Sequence, residues 1–388
     1  MRIGAHLVDR EVRLREFSLP LRSPLGTAKG EMTERRGLLV ELRGELETGD
    51  EVRGVGEATP LPPWTEGYEE CLATWVTLRD AANGTVSDGD ENEVDIDGVP
   101  PAARHAMNLV GADASARYAK RPLAAWLADR TGDSGGSDAA AEVPVNATVG
   151  DGSVESTVEE AESAVVDGFD CLKLKAGARD LDADLDRCRA VREAVGDDVA
   201  LRADANGAWS RDEAERAVDA LAALDFEYVE QPLPADDHEG LAALRGRGVG
   251  IALDESVNGP NTWPDPVREF ADVVVLKPMA QGGPTRTVSV ARRLRAQGVT
   301  PVVTTTVDAV VARTAAVHAA AAIPNVPACG LATGDLLAED LAADPVPVED
   351  GRVRVPEGPG LAGDAFDRLV GDDSAGGGSA GGGSVGND

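Results

Sequence analysis

Apolar and polar residues alternate through the chain up to about residue 55, as in Arg36-Gly37-Leu38-Leu39-Val40-Glu41-Leu42. A period of two puts alternate side chains on opposite faces, so this stretch is expected to form antiparallel strands joined by turns. The period then changes. Segments 66–82 and 99–129 carry apolar residues at helical spacing, the second with Ala103, Ala106, Met107, Val110 and Ala114, which predicts helices over both. Strands followed by helices make an α+β module of residues 1–130, with the acidic stretch 87–98 as a solvated loop.

Thr131-Gly132-Asp133-Ser134-Gly135-Gly136-Ser137-Asp138 has the composition of a linker, and residues 131–141 are read as one. From Glu142 the pattern alternates again, on a longer scale. Val/Leu-rich runs at 143–148, 170–175, 199–204, 227–231, 250–254, 273–277, 301–304 and 327–331 predict eight strands. Helical patterns at 153–167, 180–195, 210–224, 283–297 and 309–322 lie between them. Evenly spaced parallel strands without a Gly-rich first turn favour a closed β/α barrel over an open doubly wound sheet, spanning residues 142–340. The Gly-Gly-Gly-Ser repeats of 371–388 predict a disordered tail.

Charge narrows the partners. With 69 acidic against 37 basic residues and a formal charge of -32, the chain would repel nucleic acid and anionic lipid. Uniform acidity of this kind suits a surface adapted to high salt, the expectation being a halophile's cytoplasmic protein. No signal pattern and no long uncharged apolar run predicts secretion or membrane insertion. Cys71, Cys171, Cys188 and Cys329 lack zinc-ligand spacing and read as buried thiols.

The lysines change the picture most. Only Lys29, Lys120, Lys173, Lys175 and Lys277 occur, against 32 arginines. An ammonium can lose its proton where a guanidinium cannot, so a surviving lysine points to acid–base chemistry. Lys173 and Lys175 lie two apart on the expected second strand, both facing the barrel interior. Asp204, Glu230 and Asp254 fall at the ends of the third, fourth and fifth strands, and Lys277 at the end of the sixth. In a β/α barrel these ends converge on one mouth. Three carboxylates there require a cation, and hard oxygen ligands select magnesium or manganese. A metal on a substrate carboxylate, with a lysine on each side, fits removal of the neighbouring proton through an enediolate.

Taken together, Lys173-Leu174-Lys175, Asp204-Ala205-Asn206-Gly207-Ala208-Trp209, Glu230-Gln231-Pro232, Asp254-Glu255-Ser256 and Lys277-Pro278 resemble the enolase superfamily, in its muconate-lactonizing subgroup. Residues 24–30, residues 54–62, Arg202 and Gly330-Leu331-Ala332-Thr333-Gly334 are similar to the o-succinylbenzoate synthases of that subgroup, which serve menaquinone biosynthesis. The resemblance implies a modified TIM barrel of the (β/α)7β type with an N-terminal α+β capping domain, residues 341–370 packing back on the cap. It implies magnesium or manganese on Asp204, Glu230 and Asp254. The small-molecule carboxylate substrate, a succinyl-hydroxycyclohexadiene carboxylate, would undergo syn dehydration. Lys175 would remove the alpha proton and return it to the departing hydroxyl, Lys277 would stabilise the enediolate and Lys173 would assist electrostatically. A loop at about residues 23–30 would close over the substrate, with Lys29, Thr27, Arg202, Asn206, Thr306 and Gly330 as its contacts.

The seventh strand departs from the subgroup, carrying Thr304-Thr305-Thr306-Val307-Asp308 where a serine-rich run ending in glutamate is usual. Racemases of N-acylamino acids and dipeptide epimerases share the same fold, metal and opposed lysines. The aspartate pair that dipeptide epimerases carry after the eighth strand is missing from residues 330–335. Muconate cycloisomerisation is a further option. A non-catalytic metal-binding paralogue would be expected to lose a lysine or a ligand, and all six are present.

Overall fold

The computed structural model describes residues 7–27, 30–84, 98–130, 139–257, 263 and 265–371. Lys29, nearly all of the acidic stretch, the linker residues 131–138 and the tail from 372 lie outside these residues. The early alternation produces β1 (Leu7–Thr27), β2 (Gly30–Leu46) and β3 (Glu51–Ala58), antiparallel in that order. On one face Leu38, Val40 and Leu42 pack on Cys71 and Trp75 of α1 (Tyr68–Ala82) and on Ala102, Ala103 and Ala106 of α2 (Pro101–Tyr118). Leu39, on the other face, joins the main core. Close approach of α2 to β3 depends on two glycines. A Cβ on Gly54 would lie 2.2 Å from the Val110 carbonyl oxygen, and one on Gly56 2.5 Å from that of Ala106.

The helical stretch expected over 99–129 is divided, α2 ending at Tyr118 and α3 (Leu123–Arg130) beginning anew. Lys120 between them has φ 53°, and Pro122 cannot donate the backbone bond that would continue the first helix.

The second part opens with β4 (Glu142–Pro144) and β5 (Ala147–Val149), so the run expected as one strand is two. Then come α4 (Val154–Val166), β6 (Cys171–Lys175), α5 (Leu181–Val195), β7 (Ala200–Asp204), α6 (Arg211–Ala223), β8 (Phe226–Glu230), α7 (His238–Leu244) and β9 (Gly250–Leu253). β10 (Val273–Leu276), α8 (Pro278–Gln281), α9 (Pro284–Ala296), β11 (Thr300–Val303) and α10 (Val310–Ala321) complete the alternation. Strands β5 to β11 form a seven-stranded parallel sheet in sequence order. The expected eighth strand is reduced to two parallel bridges, Val145 to Cys329 and Thr304 to Gly330, which close the sheet into a modified TIM barrel beneath the N-terminal cap.

The chain ends with β12 (Val348–Glu349) and β13 (Arg352–Arg354), the latter antiparallel to β4. Beyond them Leu361 donates its backbone N–H to Asp113 of α2, and Asp367 pairs with Arg53 of β3 and Arg117 of α2.

Candidate active site

Alternation along β6 buries Leu172 and Leu174 in the main core and leaves Lys173 and Lys175 on the other face. The register sets Lys175 beside Asp204, and Asp204 beside Glu230. Lys173 Nζ lies 3.0 Å from Asp204 Oδ2 and 3.1 Å from Glu230 Oε1. Lys175 Nζ lies 2.7 Å from Asp204 Oδ2 and donates to Asn206 Oδ1 at 2.8 Å. Lys277, directly after β10, donates to Asp254, directly after β9. Six of the residues singled out in the sequence, and Asn206 with them, thus form one cluster at consecutive strand ends.

The lysines differ in access. The Lys173 side chain is 15% exposed and that of Lys277 10%, whereas Lys175 is 37% exposed at the mouth. Burial disfavours the charge on Lys173, but Asp204 and Glu230 outweigh it and raise this ammonium well above its ordinary value. Burial also acts to raise Asp204, yet Lys173 and Lys175 hold it well below the usual carboxylate range. Glu230 is pushed up to about 7 by burial and by the Asp204 charge. Asp254 is pushed up to about 6, chiefly by burial, against the pull of Lys277.

This donor set fits a hard divalent cation in type, number and charge. All three carboxylates are buried, and repulsion between them contributes to raising Glu230. Among the described residues no three His, Cys, Asp or Glu side chains stand at metal-ligating spacing. Ammonium groups bond the carboxylate oxygens instead, Lys173 bridging two of them.

The remaining expected contacts are distributed more widely. Arg202 donates to Glu227, to Asn146 and to the Ala328 carbonyl, and lies over the Tyr228 ring, making no bond to the lysine–carboxylate cluster. Thr306 donates to Asp308 at 2.5 Å. The Gly330 carbonyl accepts from Thr304, whose Oγ1 would stand 2.5 Å from a Cβ at that position, so glycine is required there. Thr27 ends β1 opposite Gly30.

Two contributors carry no assignment from sequence. Trp64, on the loop after β3, sets its ring under Lys277 Nζ with 3.5 Å to the centroid. Gln231 accepts from the backbone N–H groups of Asp254 and Ser256 while donating to the Leu233 carbonyl and Ser256 Oγ. Its place between Glu230 and Pro232 was a signal available in the sequence; for Trp64 there was none.

Residues 156–365, over half of the chain, match the family described as Enolase C-terminal domain-like. The chain belongs to the enolase superfamily. It is 41% identical to the o-succinylbenzoate synthase of Thermobifida fusca over 213 residues, 53% of this chain and 63% of that protein, so the alignment spans under two thirds of the relative. The N-succinyl-L-Arg/Lys racemase of Bacillus cereus is 28% identical over 321 residues, 80% of this chain and 83% of the relative. A dipeptide epimerase from Methylococcus capsulatus, solved with Mg and the dipeptide L-Arg-D-Lys, has TM-score 0.75 and 28% identity, covering 92% of this chain and 99% of that one. Within this superfamily member, no helix among the described residues is long and apolar enough to cross a membrane.

Proposed function

We propose that this chain is an o-succinylbenzoate synthase, dehydrating 2-succinyl-6-hydroxy-2,4-cyclohexadiene-1-carboxylate to 2-succinylbenzoate. The observation that carries the reaction class is the pair Lys175 and Lys277. Lys175 ends β6 and Lys277 directly follows β10, four strands along in the seven-stranded sheet, with the carboxylates of β7, β8 and Asp254 between them. The 41% identity to the Thermobifida fusca synthase favours dehydration.

Asp204, Glu230 and Asp254 would hold magnesium, the ion in the Methylococcus epimerase structure. When bound, the metal would offset the charge of the substrate carboxylate as its alpha carbon loses a proton. Lys175 is the base, because its Nζ stands at the open mouth. Lys173 is committed to two buried carboxylates and serves to hold them. Lys175 returns the proton to the departing hydroxyl on the same face, and Lys277 sets positive charge against the enediolate oxygens.

Racemisation of N-succinylamino acids is the second reading, favoured by the same opposed lysines and by the Bacillus cereus relative. The test is ultraviolet-monitored turnover of the cyclohexadiene substrate in high salt with magnesium, beside N-succinylamino acids followed by polarimetry. Dehydration abolished by chelator and by Lys175→Arg supports the synthase. Racemisation alone would transfer the site to the second reading. Neither activity in a protein that binds magnesium would overturn both.

A further inference from the structure

The loop after β11 is held in a conformation that its sequence does not favour. Val307 has φ 58°, and a β-branched side chain in the left-handed region is a steric outlier. Around it two hydroxyls are committed across the seam of the barrel, Thr304 donating to the Gly330 carbonyl at 2.8 Å and Thr305 sharing a bond with Thr333 at 2.8 Å, while Thr306 bonds Asp308 within the loop.

What restrains the loop comes from the cap. Arg35 of β2 is buried at 3% exposure and donates in three directions: Nε to the Val307 carbonyl at 3.1 Å, Nη1 to that of Pro60 at 3.1 Å and Nη2 to that of Thr59 at 2.8 Å. Glu57 of β3 takes the other end, accepting from the backbone N–H groups of Ala309 at 2.9 Å and Ala312 at 2.8 Å, where α10 begins. Two strands of the cap therefore hold this segment, one at the carbonyl of the strained residue and the other at the start of α10. A planar guanidinium suits this position, since its fixed fork can meet three carbonyls at once and a single ammonium on a flexible stem cannot reproduce that geometry.

We infer that Arg35 is a positioning residue: by holding the Val307 carbonyl it keeps the seventh-strand loop in its strained form, and so aligns Thr304 and Thr305 against Gly330 and Thr333, Gly330 being one of the expected substrate contacts. In its effect on turnover the inference rests on the proposed function; in its effect on the loop it does not.

Glycine adopts φ near 58° without strain, which makes the clamp dispensable and provides the test. Amide hydrogen exchange over residues 304–312 is measured in the wild type, Arg35→Met, Val307→Gly and the double variant, with kcat, KM and magnesium affinity alongside. Arg35→Met should speed exchange in this segment and lower kcat/KM about tenfold with magnesium affinity unchanged. Val307→Gly alone should resemble wild type, and adding it to Arg35→Met should restore slow exchange and most of kcat/KM. Should Arg35→Met fail to fold, Arg35→Lys keeps the charge but not the fork and should show the same pattern in weaker form. Unchanged exchange in the arginine variant, or a double variant no better than the single, would overturn the clamp. Absence of dehydration in the wild type would overturn the proposed function while leaving the exchange result to judge the loop.

Discussion

Lys277 Nζ, which donates to Asp254, stands 3.5 Å from the centroid of the Trp64 ring. A cap residue thus attracts the charge of a barrel lysine, an interaction of about 1 kcal/mol when partly desolvated. Trp64→Leu should lower kcat by roughly fivefold, the rate equivalent of that energy. Trp64→Phe, which keeps a π face, should recover most of it. Steady-state kinetics on both variants checks this, and equal losses in the two would exclude the ring as the cause.

Lys173 is the counter-charge for two buried carboxylates. Removing one partner of a buried pair costs about 3–5 kcal/mol, because a charge is left uncompensated. Lys173→Met should therefore melt well below wild type in chelator and regain much of the difference in magnesium, which supplies the missing positive charge. Lys175→Met should change melting little and abolish turnover. Thermal melts of the two variants with and without metal separate these roles.

Gln231 supplies the acceptor for the N–H groups of both Asp254 and Ser256. Leucine at this position would orphan two buried donors, at about 1–3 kcal/mol each. Gln231→Leu should be destabilised by that order and bind magnesium more weakly, since the Asp254 backbone loses its tether. Urea unfolding and calorimetric metal titration measure the two effects, and unchanged metal affinity would limit Gln231 to folding.

Glu57 gives a pH dependence. Burial, with a further push from Asp308, raises its carboxyl from an ordinary 4.5 to about 8. Between those values the folded chain holds a proton that the unfolded chain has released, so this group's contribution to stability is full below about pH 4.5 and is lost as pH rises through 8. Glu57→Gln should be less stable overall by about 1–2 kcal/mol, having lost one acceptor for α10. Its stability should also fall less steeply than wild type across this window. Denaturant midpoints compared at several pH values decide it, parallel profiles counting against a proton on Glu57.

Much of the site was readable because its residues obey two local rules. Alternation sent Lys173 and Lys175 to one face of β6, and the strand ends positioned Asp204, Glu230, Asp254 and Lys277 in one ring. Arg202 obeys the same alternation, yet stands two residues before Asp204, roughly 6–7 Å deeper along the strand. There it meets Glu227 and Asn146 in place of the lysine–carboxylate cluster. Periodicity identifies a face but not a depth. Trp64, Arg35 and Glu57 escaped for another reason: each reaches the barrel from the cap, and no spacing within one segment encodes contact with another. The eighth strand was expected at full length and is two bridges, because pairing of so short a run is decided by its neighbours β4, β5 and β11.

The lysines have one more consequence, for chemical modification. Of the five in the chain, three meet in this cluster, and two of those are clasped by carboxylates and shielded from solvent. Lys175 alone of the three projects substantially into the mouth. An amine-directed acylating label finds few competing sites on such a protein, so its mass increment becomes a gauge of whether that mouth is occupied.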